Sequence, residues 1–459
     1  MANDNTDSMT PGERRAALSL ASIIATRMLG IFMILPVFAL YAEGLEGVTP
    51  LLVGVAIGIY GLTQALLQIP FGMLSDRYGR KRIITIGLVL FAVGSVVAAV
   101  GDSIWLVIIG RAIQGGGAVS AAILALAADL TREEHRTKAM AIIGMSFGVA
   151  FAASMVLGPV LNEYIGVSGI FWFTALLALL AIGLLWWRVP TPASSHVHRD
   201  AEVVPASAGS VLRDSQLLRL DAGILILHTI LTASFVVLPL VLFGQLGIAT
   251  RYHGLVYLLV MIAAVVVMVP FIIYAERRRR IKPIFAGAVA VAGLSQLGLA
   301  LVDLSLAGFI ILLWLFFTAF NLLEASLPSL IAKIAPADRK GTAMGVYSSS
   351  QFFGIFLGGL LGGWLHGAYG IQAVFGMSAL LALFWFGLAV TMRAPQYVRS
   401  MVVQVGELDA ARAQQLASKL SALEGVSEAV VIAGEGEAFL KVDNRRLDQA
   451  ALSACLEQV

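Results

Sequence analysis

One cysteine, Cys455, occurs in 459 residues. A lone thiol excludes an intrachain disulfide framework and any Cys-rich zinc or iron–sulfur centre, and it leaves the redox compartment open. Charge is nearly as scarce. Asp, Glu, Lys and Arg make up 13% of the chain, against about 25% in an ordinary soluble domain. The apolar set reaches 59% and the mean hydropathy is +0.89. Too few polar residues exist to clothe a water-facing surface, so most of the surface must face lipid. Enzyme signatures are missing too. There is no GxSxG elbow and no GxxxxGK[ST] phosphate loop, and the acid-rich neighbourhood of His135 lacks the second histidine of a zinc-protease helix. No catalytic residue, metal or cofactor is therefore expected. The polar start precedes an apolar run too long for a signal-peptide core and without a small-residue cleavage pattern, so that run is expected to stay in the membrane.

A spanning helix needs about 20 mostly apolar residues. Breaks at charges and turn residues divide the chain into twelve such runs, at about 17–42, 51–74, 82–100, 104–128, 138–162, 167–188, 216–245, 253–275, 283–302, 305–332, 342–366 and 371–392. The formal charge of +3 would suit nucleic acid only if the bases were gathered on one face, and they are instead bunched between apolar runs. Twenty-one of them lie in alternate loops or ahead of the first span, Arg77, Arg136, Lys282 and Lys340 among them, whereas the opposite loops hold Arg251 alone. The positive-inside rule then places both termini in the cytoplasm of a bacterial-type inner membrane.

A polar, Pro/Ser-rich stretch at 189–215 separates six spans (1–188) from six more (216–392), and the halves match. Pro70-Phe71, Asp76-Arg77 and Arg80 recur as Pro270-Phe271, Glu276-Arg277 and Arg280; Ala139-Met140 and Gly158 recur as Ala343-Met344 and Gly362. The expected fold is an all-α polytopic membrane protein of 6+6 pseudo-symmetric helices, the layout of a transporter whose halves rock about a midplane site.

The stretch GMLSDRYGRKR, from Gly72 to Arg82, resembles the loop signature between spans 2 and 3 of the major facilitator superfamily, matching at Gly72, Asp76, Arg77, Gly79 and Arg80. The resemblance implies a conformational latch: Gly72 allows close approach to span 11, Asp76 caps that span's N-terminus, and Arg80 pairs with Asp129 at the end of span 4. A carboxylate at a helix N-terminus and a glycine at a helix contact suit those roles physically. The plainer reading, a topological charge run, explains the bases but not the acid among them. The second-half copy has no glycine, so a latch there should be looser. RAIQGGG in span 4 (Arg111, Gln114, Gly115, Gly117) resembles the signature of proton-coupled members, and Gly158-Pro159 in span 5 partly matches that of the antiporters, with Asn162 and Glu163 where further glycines are expected.

Charge at lipid depth is expensive and is a functional-site hypothesis by default. Arg27 lies near the midplane of span 1, Arg111 is expected to face the cavity, and Glu324 reads as the one acid clearly inside a span. Glu324 is the leading candidate to carry a proton, with Arg27 and Arg111 as coupling partners; a fixed ion pair with either arginine, or a wet position, is the competing reading. A substrate cavity is expected among Gln64, Gln68, Met145, His228, Asn321, Tyr347 and Gln351, with Phe32 and Met33 as apolar lining. No dense constellation of fixed charges appears, which favours an amphipathic or modestly charged small molecule.

Residues 393–459 hold 7 bases and 9 acids and no run long enough to span. Their pattern predicts βαββα, similar to a ferredoxin-like or heavy-metal-associated module that lacks its last strand. The metal-binding CxxC is missing from the first loop, so metal binding is not expected. Twelve spans with such a cytoplasmic domain resemble a group of drug–proton antiporters within the superfamily. The resemblance implies a monomer in the lipid bilayer that exports a small amphipathic compound in exchange for protons, with the proton gradient as energy source. A proton-linked or facilitative importer and a non-transporting receptor are the alternatives.

Overall fold

The computed structural model describes residues 8–192, 203, 209–301, 305–394, 398–434, 436–443 and 446–456. Most of the linker at 189–215, with Arg199, and the turn at Asp303 lie outside them. Eleven apolar helices among the described residues are long enough to cross a membrane. The longest, Lys138–Arg188, holds two spans: Gly166 at φ 67, ψ 174 turns the chain between spans 5 and 6. Twelve crossings result, as the hydropathy predicts. In lipid depth every peptide group must be satisfied within its own segment, which leaves helices as the one option for these runs.

Two spans are broken where the sequence carries helix breakers. Span 1 runs Pro11–Phe32 and resumes at Leu35–Ala42, with Pro36 in its first turn. Span 4 runs Ile104–Gly116 and resumes at Ser120–Asp129. The other spans follow as Pro50–Tyr78 (2), Arg80–Ala99 (3), Ser215–Leu240 with a π-turn at Val241–Gln245 (7), His253–Arg277 (8), Ile281–Leu301 (9), Leu306–Ile334 (10), Lys340–Tyr369 (11) and Ile371–Thr391 (12).

The internal repeat extends to the packing. A methyl group on Gly158 of span 5 would overlap the Met33 carbonyl of span 1, and one on the equivalent Gly362 of span 11 would sit 2.9 Å from the Ala233 Cα of span 7. Small residues let backbones touch where no hydrophobic force separates lipid from protein. A three-stranded antiparallel sheet follows the last span, in the order β1–β3–β2 (Arg399–Gln404, Glu437–Val442, Val426–Val431). Helices Ala410–Ser421 and Gln449–Leu456 complete the expected βαββα unit, and Leu416, Leu420, Leu440 and Leu452 fill its core.

Candidate functional site: a cavity between two halves

The two halves are joined on one side of the molecule and parted on the other. Spans 2 and 11 meet through glycine away from the basic loops: a methyl group on Gly54 would overlap the Gly359 carbonyl, and one on Gly58 would lie 2.9 Å from that of Phe356. Spans 5 and 8 approach on that same side, where Gly254 faces the Val156 carbonyl. Toward the basic loops the same helices diverge. Gly144 and Gly148 of span 5 have open space around them, Met145 and Val149 are exposed, and a crevice lined by Gln68, Gly72 and Asp76 opposite Gly341, Met344 and Ser348 separates spans 2 and 11.

An aromatic layer closes the cavity on the side away from the bases. Phe32 stacks edge-on against Phe151 at 5.1 Å between centroids, Phe151 meets Phe320 across the two halves at 5.5 Å, and Phe320 meets His228 at 5.9 Å. One turn nearer the basic side lies Glu324. Its carboxylate accepts from Gln351 Nε2 at 3.0 Å, and the same amide nitrogen lies 3.0 Å from His228 Nε2. His228 Nδ1 is 3.3 Å from the Ile224 carbonyl. With Nδ1 donating to that carbonyl, Nε2 is free to accept one amide hydrogen while Glu324 accepts the other. Spans 7, 10 and 11 thus hold the acid in a polar clamp within the second half. Neither Arg27 nor Arg111 pairs with it, which removes the ion pair weighed from the sequence.

Those two arginines form a separate cluster in the first half, each 1% exposed. Arg27 donates to Ser120 Oγ at 3.1 Å, to the Tyr60 hydroxyl at 2.6 Å and to Gln64 Oε1. Arg111, expected to face the cavity, instead donates to the Ala56 and Ile57 carbonyls, both at 3.3 Å, and to Gln114 Oε1 at 3.0 Å. The Tyr60 ring lies between them, 5.9 Å from one guanidinium and 5.3 Å from the other. The glycines of RAIQGGG act in packing: methyl groups on Gly115 and Gly117 would overlap the backbone carbonyls of Tyr60 and Gly87.

Other cavity candidates divide. His228, Gln351 and Tyr347 gather near Glu324. Gln64 and Gln68 extend the Arg27 network, Gln64 donating to Gln68 at 3.4 Å. Asn321 turns back on its own helix, donating to the Phe317 carbonyl at 2.7 Å. Met33 is not lining at all: it is fully buried against Gly158, because the break after Phe32 presses span 1 onto span 5. The sequence reading missed Tyr60, Phe151 and Phe320, which look like ordinary span residues. It also missed Asp221, an acid in span 7 only 4% exposed; the signal was present in the apolar run 216–245.

At the basic ends, Arg80 Nε donates to Asp129 at 3.1 Å and a second nitrogen pairs with Asp76. Gly79, at φ 96, makes the turn that sets Arg80 at the start of span 3. Arg77 lies over the Tyr78 ring at 5.5 Å. Two implied contacts are not made in this structure: Gly72 lies against Ala121 of span 4, and the N-terminus of span 11 begins at Arg339 without a side-chain cap. The parting of the halves on this side holds span 11 away from both residues. In the second half Lys333 replaces Asp129 and pairs with Glu276 at 2.7 Å.

The Major Facilitator Superfamily family description matches residues 20–323 and 223–411. The chain is 46% identical over 453 residues to the Inner membrane transport protein YajR of Escherichia coli K12, covering 98% of this chain and 99% of that one. It is 25% identical to the Multidrug resistance protein MdtH of Cronobacter sakazakii over 78% of this chain and 90% of that one. Among solved structures, a bacterial homolog of the human lysosomal transporter Spinster, in an inward-facing and occupied conformation, aligns with a TM-score of 0.69 at 13% identity, covering 84% of this chain and 98% of that one.

Proposed function

Because the chain belongs to the major facilitator superfamily, and is accordingly a multi-pass membrane transporter, we propose that it exports small amphipathic compounds across the inner membrane in exchange for protons. The observation that carries this reading is Glu324: a half-buried acid held by one amide donor, with His228 Nε2 3.8 Å from its other oxygen and no arginine or lysine paired with it among the described residues, on the floor of a cavity open to the side that bears the basic loops. That side is the cytoplasm under the positive-inside rule. Substrate from the cytoplasm meets exposed Met145 and partly exposed Gln351, thioether and amide groups suited to an amphipathic molecule, with Phe320 and His228 buried behind them. A carboxyl held by one amide can be protonated in one state and released in the other, and alternating access follows when the halves rock about the aromatic layer. The names of YajR and MdtH support transport and drug export as the class.

The latch reading belongs to the same cycle. When the halves close on the basic side, span 11 approaches Gly72 and its positive N-terminus comes within reach of Asp76, which then shares itself between that helix end and Arg80. The C-terminal unit, 393–459, is the natural regulator. Lys441 Nζ donates to the Ile334 carbonyl at 3.4 Å at the end of span 10, Glu428 accepts from Ala337 N at 3.4 Å, and Asp443 pairs with Arg279 at 3.3 Å. Each of these contacts is with the second half, at the turn after span 8 and at the end of span 10 and the turn that follows it, so the unit travels with that half.

Reconstitution into vesicles with an imposed pH gradient tests the proposal, using ethidium and related amphipathic cations as probes. Antiport consumes the gradient when probe is added and drives probe uphill. Transport indifferent to the gradient means facilitation, and no transport means a receptor; either result overturns the proposal. Glu324→Gln should abolish uphill transport in a folded protein, while retained coupling in that variant would remove Glu324 from its role.

A further inference from the structure

The basic ends of spans 1 and 6 stand apart. Deeper in the membrane the two helices pack closely, and a methyl group on Gly30 would lie 2.9 Å from the Thr174 side chain. Toward the basic loops span 6 is drawn to span 3 instead: Lys81 Nζ donates to the Val189 carbonyl at 2.8 Å, and Trp186 Nε1 donates to Thr85 Oγ1 at 2.9 Å. A cavity of about 550 Å³ opens between spans 1 and 6 at that level, a size that suits a small-molecule headgroup. The corresponding ends in the second half, those of spans 7 and 12, are closed by their own contacts. There Arg219 donates to the Thr391 carbonyl at 2.7 Å, and the Arg393 amide donates to Gln216 Oε1 at 2.9 Å.

Arg14, Arg15 and Arg188 line this cavity together with Ser19 and Ser22, and no acid does. All three arginines are exposed, and none of them forms an ion pair among the described residues. The neighbouring acid, Glu13, is taken by Arg132 at 3.0 Å. Arg14 and Arg15 also fall in the first turns of span 1, at the positive end of its dipole, where a helix favours acids. Arg188 lies over the Trp187 ring at 5.2 Å. The positive-inside rule accounts for the side on which these bases lie. It does not account for three guanidiniums from two helices converging on one cavity without a counter-ion. A guanidinium presents its donors in a planar fork that fits a phosphate. Ser19 adds a hydroxyl, whereas that of Ser22 already donates to the Leu18 carbonyl at 2.9 Å.

We propose that this cavity binds the headgroup phosphate of an anionic phospholipid from the leaflet on the basic side. The remaining walls select a lipid over a free anion. Leu18, 48% exposed, and Leu184 line the same cavity and offer the acyl chains an apolar path. Trp186 and Trp187, 53% and 80% exposed, flank Arg188 on span 6, and indole rings collect at the level of lipid headgroups. Three unopposed positive charges favour a headgroup of net negative charge. A zwitterionic headgroup would bring its own ammonium against the arginines and is disfavoured by that repulsion. The site belongs to the first half alone and does not depend on Glu324 or on antiport.

Native mass spectrometry of the purified full chain, titrated with phosphatidylglycerol, phosphatidylethanolamine or glycerol phosphate, tests the site. The wild type should hold phosphatidylglycerol more tightly than phosphatidylethanolamine, and glycerol phosphate should not displace it. Arg14→Gln, Arg15→Gln and Arg188→Gln should each weaken the phosphatidylglycerol adduct about fivefold, the worth of one base near an anionic lipid surface, and the triple variant on the order of a hundredfold. A control triple variant, Arg82→Gln, Arg213→Gln and Arg278→Gln, removes the same charge from exposed positions elsewhere on the basic side and should leave the adduct in place. Equal loss in the two triple variants would reduce the three arginines to topological charge and overturn the site. Equal binding of phosphatidylethanolamine, or displacement of the lipid by glycerol phosphate, would overturn it as well. The single variants carry the test if the triple variant fails to fold, and three singles that bind like the wild type would also overturn it.

Discussion

Arg80 and Lys333 show how much a single ion pair depends on its surroundings. The side chains of Arg80 and Asp129 are 2% and 1% exposed, while those of Lys333 and Glu276 are 17% and 46% exposed. Removing one member of a buried pair leaves an uncompensated charge and costs about 3–5 kcal/mol, whereas an exposed pair is worth about 0–1 kcal/mol. Asp129→Ala should therefore lower the thermal midpoint of the detergent-purified protein clearly, and Lys333→Ala should leave it nearly in place. Equal shifts would show that the two ends of the repeat are equally tight, against the looser second-half copy expected from its missing glycine. Arg27 and Arg111 make a related point. Both are buried without an acid beside them: Arg111 is held by backbone carbonyls and Gln114, and Arg27 by Ser120, Tyr60 and Gln64 with its Nε unpartnered among the described residues, so a guanidinium at lipid depth need not mark a cavity.

Among the helices, the glycines of spans 2, 5 and 11 divide into filled and open positions, and that division describes the conformational state. Gly54 and Gly58 are contacts in the present state; Gly144 and Gly148 are not. Gly58→Leu should force spans 2 and 11 apart on the side away from the bases and depopulate this conformation, while Gly148→Trp should be tolerated here and obstruct closure on the basic side. In a cysteine-free background with a reporter cysteine at Met145, labelling from the basic side should fall severalfold in Gly58→Leu and hold or rise in Gly148→Trp. Matching behaviour in the two variants would mean that these glycines do not distinguish states. The breaks in spans 1 and 4 act at this scale as well: they press Met33 against Gly158 and bring Ser120 within reach of Arg27.

The whole molecule adds the C-terminal unit to the second half. Lys441 sits at the negative end of span 10 and Glu428 at the amide that opens the following turn, so the unit grips the loop between the helix bearing Glu324 and the helix bearing Tyr347. Truncation after residue 397 should change the transport rate severalfold at unchanged expression. A truncated protein with the same rate and the same expression would reduce the unit to an appendage.

What the sequence determined alone was everything governed by local composition. Twelve apolar runs, basic alternate loops, a repeat of about 200 residues and the βαββα pattern each depend on neighbours along the chain, because a residue's preference for lipid, water, helix or strand is a local property. Glu324 was legible for the same reason, as an acid in an apolar run. Tertiary structure alone decided the partners. Asp221 is legible in the same way, as an acid in the apolar run 216–245, and tertiary packing decides only that its carboxyl is buried with no hydrogen-bond partner among the described residues. Arg111 was read toward a cavity, and only the close approach of span 2 supplies the carbonyls that hold it. The aromatic layer, the clamp of Gln351 on Glu324 and the side on which the halves part are likewise set by distances between helices. Those distances depend on where glycines on separate spans meet, and no single span carries that information.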